Sequence, residues 1–175
     1  STQKLLSLAI GDRTVRFLFS GDTIVDRTHW NTPYLAGCFG HLMLRLMDTH
    51  GPDGLYWFLI SKGFRTYRFL PVFFNRFWPA PDRATPPEMA AILDGIAFHK
   101  FGPAYDRRAG IIRPPDGDRL APDLADIPAA RRRDPHIAFF LARNPGFAQG
   151  DELACLAPIH PGNLNAYAQR VIRST

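Results

Sequence analysis

A chain of 175 residues with 46% apolar and 21% charged side chains has the size and composition of one globular domain, which excludes collagen, a coiled coil and a disordered chain. Its 21 basic residues, 18 of them arginine, outnumber 16 acids and give a formal charge of +5, so anionic partners are favoured without one being singled out. No run approaches the roughly 18 consecutive apolar residues a membrane helix needs, and no cleavage-site pattern follows an apolar leader. The expectation is a soluble, cytoplasmic protein with no membrane span. Two cysteines, Cys38 and Cys155, make neither a disulfide framework nor a thiol metal site, and reduced thiols are expected.

In chain order, Lys4 to Ile10 and Thr14 to Ser20 read as strands joined at Gly11-Asp12, and Thr23 to Asn31 reads as a third strand. Leu42, Met43, Leu46 and Met47 recur at helical spacing from Gly40 to about His50, where Gly51-Pro52 stops the helix. Leu55 to Ile60 is an uninterrupted apolar run, the pattern of a strand buried on both faces. Thr23 to Ile60 is therefore expected to be a βαβ unit. A short helix interrupted by Pro71 follows around Thr66 to Phe77. The next helix runs from about Pro86 to Lys100, with Thr85 and Glu88 spaced as a capping box and Gly102 at its end. Residues 103–130 have the composition of a long surface excursion, within which Gly110 to Arg113 and Arg119 to Ala121 are expected to pair. Asp134-Pro135 caps a helix to Arg143, Glu152 to Ile159 is a strand, and Asn163 to Ile172 is the last helix. Residues 1–175 thus read as one α/β (α+β) domain: a mixed, mainly antiparallel sheet with a central βαβ unit and flanking helices.

Several catalytic signatures are missing. The sequence holds no Gly-x-x-x-x-Gly-Lys loop, no Gly-x-Gly-x-x-Gly, no His-Glu-x-x-His, no Cys-x-x-Cys and no Gly-x-Ser-x-Gly, so nucleotide hydrolysis, Rossmann chemistry, zinc catalysis and serine-nucleophile chemistry lack support, and no metal is expected. What remains is the segment Tyr34-Leu35-Ala36-Gly37-Cys38-Phe39-Gly40, read as a turn between a strand and a helix. Successive glycine-rich amides and a helix start can hold an anion such as a pyrophosphate. The plainer alternative is a tight turn and a helix start with no ligand.

The run Thr28-His29-Trp30-Asn31-Thr32-Pro33-Tyr34-Leu35-Ala36-Gly37-Cys38-Phe39-Gly40-His41-Leu42-Met43, followed by Leu55 to Ile60 and Tyr67, resembles the core of the GCN5-related N-acyltransferase (acyl-CoA N-acyltransferase) superfamily. The resemblance covers about Thr14 to Trp78. It implies that a strand feeds a pyrophosphate-binding loop and a helix, that a parallel strand follows, and that the two strands splay around the pantetheine arm of acyl-CoA or an acyl carrier protein. The implied reaction is transfer of an acyl group to an amine. The same resemblance implies that Tyr67 protonates the departing thiolate, for which a phenol with an ordinary pKa of about 10 is in the right form at neutral pH. Tyr67 as one more wall aromatic stands beside that role.

For the base that deprotonates the amine, His29 and Asp26 are the candidates. They point to opposite faces of a strand, and His29 suits neutral-pH work better. A structural histidine is the alternative. Cys38 with His41 one turn on evokes a thiol nucleophile, with no third group to orient the histidine.

Leu55 to Trp78 holds ten of the 22 aromatic residues, four basic residues and no acid. Three readings stay open: a packed core; the wall of a slot for an acyl chain, with Lys62, Arg65 and Arg68 at its mouth for phosphates or an acidic carrier protein; and a nucleic-acid surface. The last is disfavoured because Val72-Phe73-Phe74 clusters aromatic with aliphatic residues. A non-catalytic module that binds a lipid-like or peptide ligand in an aromatic-lined pocket is the alternative to an acyltransferase.

Overall fold

Gly11, at φ +62°, and Asp12 form the turn between β1 (Gln3–Ile10) and β2 (Arg13–Ser20) in the computed structural model of the chain, which describes residues 2–20, 26, 32, 34–115, 119–121 and 125–174. The hairpin is in register from Ile10↔Arg13 to Gln3↔Ser20. Helix α1 (Tyr34–His50) then crosses over to β3 (Leu55–Ser61), closed by Gly51 at φ +74°, where the Gly51 amide donates to the Met47 carbonyl. A positive φ without strain is what glycine supplies at this stop.

The sheet has six strands in the order β1-β2-β3-β6-β5-β4, with β4 (Tyr105–Asp106), β5 (Ile111–Ile112) and β6 (Glu152–Pro158) in its second half. Among the described residues only β2 and β3 run parallel, from Arg16↔Leu55 to Phe19↔Phe58. On its other edge β3 pairs antiparallel with β6, from Tyr56↔Pro158 to Ser61↔Leu153. Both edges of β3 are thus taken. The βαβ unit is β2-α1-β3, which corrects the reading of a strand over Thr23 to Asn31 as the neighbour of β3. Apart from Asp26, residues 23–31 lie outside the described residues. A mixed α/β sheet flanked by helices is what the patterning implied.

Between β3 and β4 come α2 (Phe64–Tyr67), α3 (Phe69–Phe73) and α4 (Pro87–Phe101). The expected capping box at Thr85 does not form. Pro86 occupies the cap of α4, with no side-chain hydrogen bond, and its carbonyl takes the Ala90 amide, so Thr85 stands one residue too early. The pairing expected between Gly110 to Arg113 and Arg119 to Ala121 is also corrected: β5 pairs with β4 and with β6. Helix α5 (Pro135–Arg143) is capped by Asp134, whose carboxylate accepts from the His136 and Ile137 amides. Helix α6 (Ala166–Ser174) begins at Asn165, whose Oδ1 accepts from the Ala168 amide.

One face of β3 (Leu55, Trp57, Leu59) packs into a core with α1, α2, α3, α5 and α6, while Phe58 joins Phe17, Leu156 and α4 on the other. Leu55, Trp57, Phe58 and Leu59 are each no more than 5% exposed, and removing each from water is worth about 1.5–3 kcal/mol. Burial on both faces explains the apolar run without alternation. A polar suture joins the two ends of this core. Asn163 accepts from the Arg76 amide at 2.7 Å and donates to the carbonyls of Arg76 and Pro158, and Asn165 donates to the Val72 carbonyl. Together they hold α6 against α3. No helix among the described residues is long and apolar enough to cross a membrane.

Candidate functional site

Tyr34, Leu35, Ala36, Gly37, Cys38, Phe39 and Gly40 form the first two turns of α1, not a turn ahead of it. The reason is packing. Gly37, Gly40, Met43 and Met47 are the buried residues of α1, and their spacing of three and four places the glycines on the same stripe as the methionines. At Gly40 the glycine permits close approach of α6: a Cβ there would lie 2.7 Å from Ile172 Cδ1 and nearer still to Cγ1. Burial against a second helix outweighs the roughly 1 kcal/mol by which glycine disfavours a helix interior. Amides able to face an anion are consequently those of the first turn of α1, which have no acceptor within the helix.

Under α1 and α6 lies a narrow apolar cleft. Ala36, Phe39, Gly40 and Met43 of α1 form one side, Ala168 and Ile172 of α6 another. Trp57 of β3 lies at its base, and Phe69, Phe73 and Phe74 close it. The aromatic walls are coupled. Trp57 stands 4.8 Å from Phe39 and 5.6 Å from Phe74 between ring centroids, and Phe69 stacks on Phe73 at 5.7 Å. Such contacts add about 0.5–1.5 kcal/mol each beyond burial. The indole Nε1 of Trp57 donates to Ser20 Oγ at 3.0 Å, so the last residue of β2 and the cleft base on β3 are tied across the parallel pair. Beyond Phe19↔Phe58 the described register of that pair ends, while β3 runs on to Ser61.

Of the seven residues expected at an anion site, Ala36, Phe39 and Gly40 line this cleft. Tyr34 is 69% exposed at the start of α1. Cys38 is an exposed free thiol, and His41 is exposed one turn later. Tyr67 is elsewhere. It is wholly buried, its ring packs against Phe77, Phe139 and Phe140, and its hydroxyl donates to the Pro79 carbonyl at 2.8 Å. Burial, with smaller contributions from Cys155 and Asp82, drives the phenol pKa well above its ordinary value. His29 lies outside the described residues.

The three cations expected at the cleft mouth do not line it. Lys62 Nζ is 3.5 Å from Glu152 and Arg68 Nε is 3.6 Å from Asp134, while the Arg65 guanidinium lies 5.1 Å above the Phe64 ring. Among the described residues no cluster of three or more metal-ligating side chains forms.

Sequence reasoning missed Ala168 and Ile172 as cleft residues. Their signal was present in the amphipathic spacing of Ala168, Val171 and Ile172, which says that a face is buried but not against what. The aromatic segment divides between readings: Trp57, Phe69, Phe73 and Phe74 reach the cleft, whereas Phe58, Phe64 and Phe77 are core. In comparisons with family models, curated proteins and solved structures, nothing matches this chain. The acyltransferase resemblance rests on the residues quoted for it.

Proposed function

We propose that the protein is an acyltransferase that takes an acyl group from acyl-CoA or an acyl carrier protein and passes it to an amine, with the acyl chain held in the cleft beneath α1. The observation that carries this reading is the position of the cleft. An aromatic-walled, uncharged slot lies against Trp57 of β3, which pairs with Leu18 in the parallel β2–β3 pair, the one parallel pair among the described residues. In this reading the first-turn amides of α1 face the phosphates of the carrier arm. Lys62, Arg65 and Arg68 then serve an acidic carrier surface on the α2 side, since they stand away from the slot.

A second reading, a non-catalytic module for a lipid-like ligand, is favoured by one observation. The Tyr67 hydroxyl is committed to Pro79 inside the core, and it can protonate a thiolate only after leaving that partner. One experiment separates the two. The protein is incubated with acyl-CoAs of short to long chain and with acyl carrier proteins, following thermal shift and, with an amine present, thiol release. A shift with thiol release supports transfer, a shift without release supports the binding module, and no shift with any carrier refutes both.

A further inference from the structure

A second cleft opens on the α4 side, at the β4 edge of the sheet, and shares no lining residue with the first. It is the roomier of the two, about 560 Å³ with its open mouth. Leu93 and Ala90 of α4 and Leu153 of β6 give it an apolar floor. Its rim carries Asp94, Tyr105, Arg107 and Arg143. Asp94 is fully engaged: the Tyr105 hydroxyl donates to Oδ1 at 2.5 Å and Arg107 Nε donates to Oδ2 at 2.7 Å. The Tyr105 oxygen keeps its lone pairs, and the terminal nitrogens of Arg107 have no partner among the described residues.

Arg143, in the last turn of α5, differs from its neighbours. Arg107 pairs with Asp94, and Arg113 pairs with both Asp106 and Asp151. Arg143 has no carboxylate partner among the described residues and spends one Nη2 hydrogen bond on the Ala109 carbonyl at 3.2 Å. A guanidinium is a fork of five donors shaped for carboxylate and phosphate oxygens. Arg143, Arg107 and Asp94 together leave one net positive charge at the mouth of an apolar floor.

We propose that this cleft binds a small organic anion with an apolar body, its carboxylate or phosphomonoester held by Arg143 and Arg107 and its body resting on Leu93 and Leu153. A ligand N–H or O–H close to the anion donates to the Tyr105 oxygen. Two arginines over an apolar floor select against both a bare inorganic ion and a neutral molecule of the same shape, because each satisfies only half of the site.

The test is calorimetric titration of the whole chain with phenylacetate, phenyl phosphate, inorganic phosphate and neutral phenylacetamide. At least one of the two aromatic anions should bind, more weakly as salt is raised, and the better of them identifies the head group. Arg143→Met, at an exposed position, should weaken it about 10- to 100-fold, the usual effect of losing a charge-assisted hydrogen-bond pair. Arg45→Gln, on α1, should leave it unchanged. Ala90→Phe, which fills the floor without altering charge, should abolish binding and serves if Arg143→Met does not fold. Any of three results overturns the proposal: no binding of either aromatic anion, binding of phenylacetamide or inorganic phosphate as tight as theirs, or wild-type affinity in both cleft variants. None of these results bears on the acyl-carrier assay, which concerns the other cleft.

Discussion

Replacing Gly40 by alanine sets two effects of opposite sign against each other. Helix propensity alone makes alanine better than glycine by about 1 kcal/mol in the interior of α1. Against this, the new methyl group would sit 2.7 Å from Ile172 Cδ1, and closer to Cγ1, where about 3.4 Å or more is ordinary. Ile172 is only 8% exposed, so it must change rotamer or push α6 outward, and overpacking of this kind costs about 1–3 kcal/mol. The net expectation is a loss of about 1 kcal/mol, or about 2–4 °C in Tm for a chain of this length. Urea denaturation followed by circular dichroism reads it as a lower midpoint at unchanged slope. Ile172→Ala should cost about 2–5 kcal/mol by itself but distinctly less in the Gly40→Ala background, with a coupling of about 0.5–3 kcal/mol. A midpoint that rises in Gly40→Ala, or a double variant whose cost is the plain sum, would refute the account of Gly40 as a close-approach residue.

Tyr67→Phe should lose about 1 kcal/mol of stability for the bond to Pro79 and keep any acyl-transfer activity; activity lost at undiminished stability would instead place Tyr67 in the chemistry. Asn163→Ala should cost about 3 kcal/mol, because the amide and carbonyl of Arg76 and the carbonyl of Pro158 lose their partner together, and a cost below 1 kcal/mol would show that water replaces it. Burial pushes the Cys155 thiol up to about 12, whereas Cys38 is exposed. Iodoacetamide should therefore add one label to the native protein and two after unfolding, as read by mass spectrometry. Burial also raises the phenols of Tyr67 and Tyr105, the latter further through its bond to Asp94. Folded-state values above the unfolded value of about 10 contribute stability that is complete below that pH and lost as pH rises through it toward the folded values. Tyrosinate absorbance from these two residues should thus appear with the loss of circular dichroism, and ionisation well before unfolding would contradict their placement.

Strands β1, β2, β3 and β6 and most helices were legible because each carries a local signal: the Gly11-Asp12 turn, the stop at Gly51, the apolar run of β3, and the Asp134-Pro135 start of α5, whereas the two-residue β4 carries none. Strand pairing was less so. Which strand lies beside β3 depends on contacts almost a hundred residues away in β6, and no periodicity within Thr23 to Asn31 bears on it. Gly37 and Gly40 misled for a definite reason. Glycine signals both a turn and a close helix contact, and the contact shows only once α6 is in place with Ile172 facing Gly40. The cleft was half visible: the aromatic excess after Leu55 marked one wall, while the α6 wall came from a helix whose spacing does not say what it covers. Arg143 was not singled out, since an arginine at a helix C-terminus has an ordinary role, and only its want of a carboxylate partner among the described residues, beside paired neighbours, sets it apart.

The place of β6 has a kinetic consequence. It is the last strand in the sequence, yet it enters the middle of the sheet, between β3 and β5. Until residues 152–158 insert, β3 keeps an open edge and the β4–β5 pair has no neighbour to join. Closing a loop of this length before any reward from pairing is a non-local step of the kind that slows folding. A partly folded chain would meanwhile present Trp57, Phe58 and Leu59 beside an unpaired edge, the combination most prone to intermolecular pairing. Expression at low temperature or with chaperones should therefore affect the yield of this protein more than changes to its surface charge.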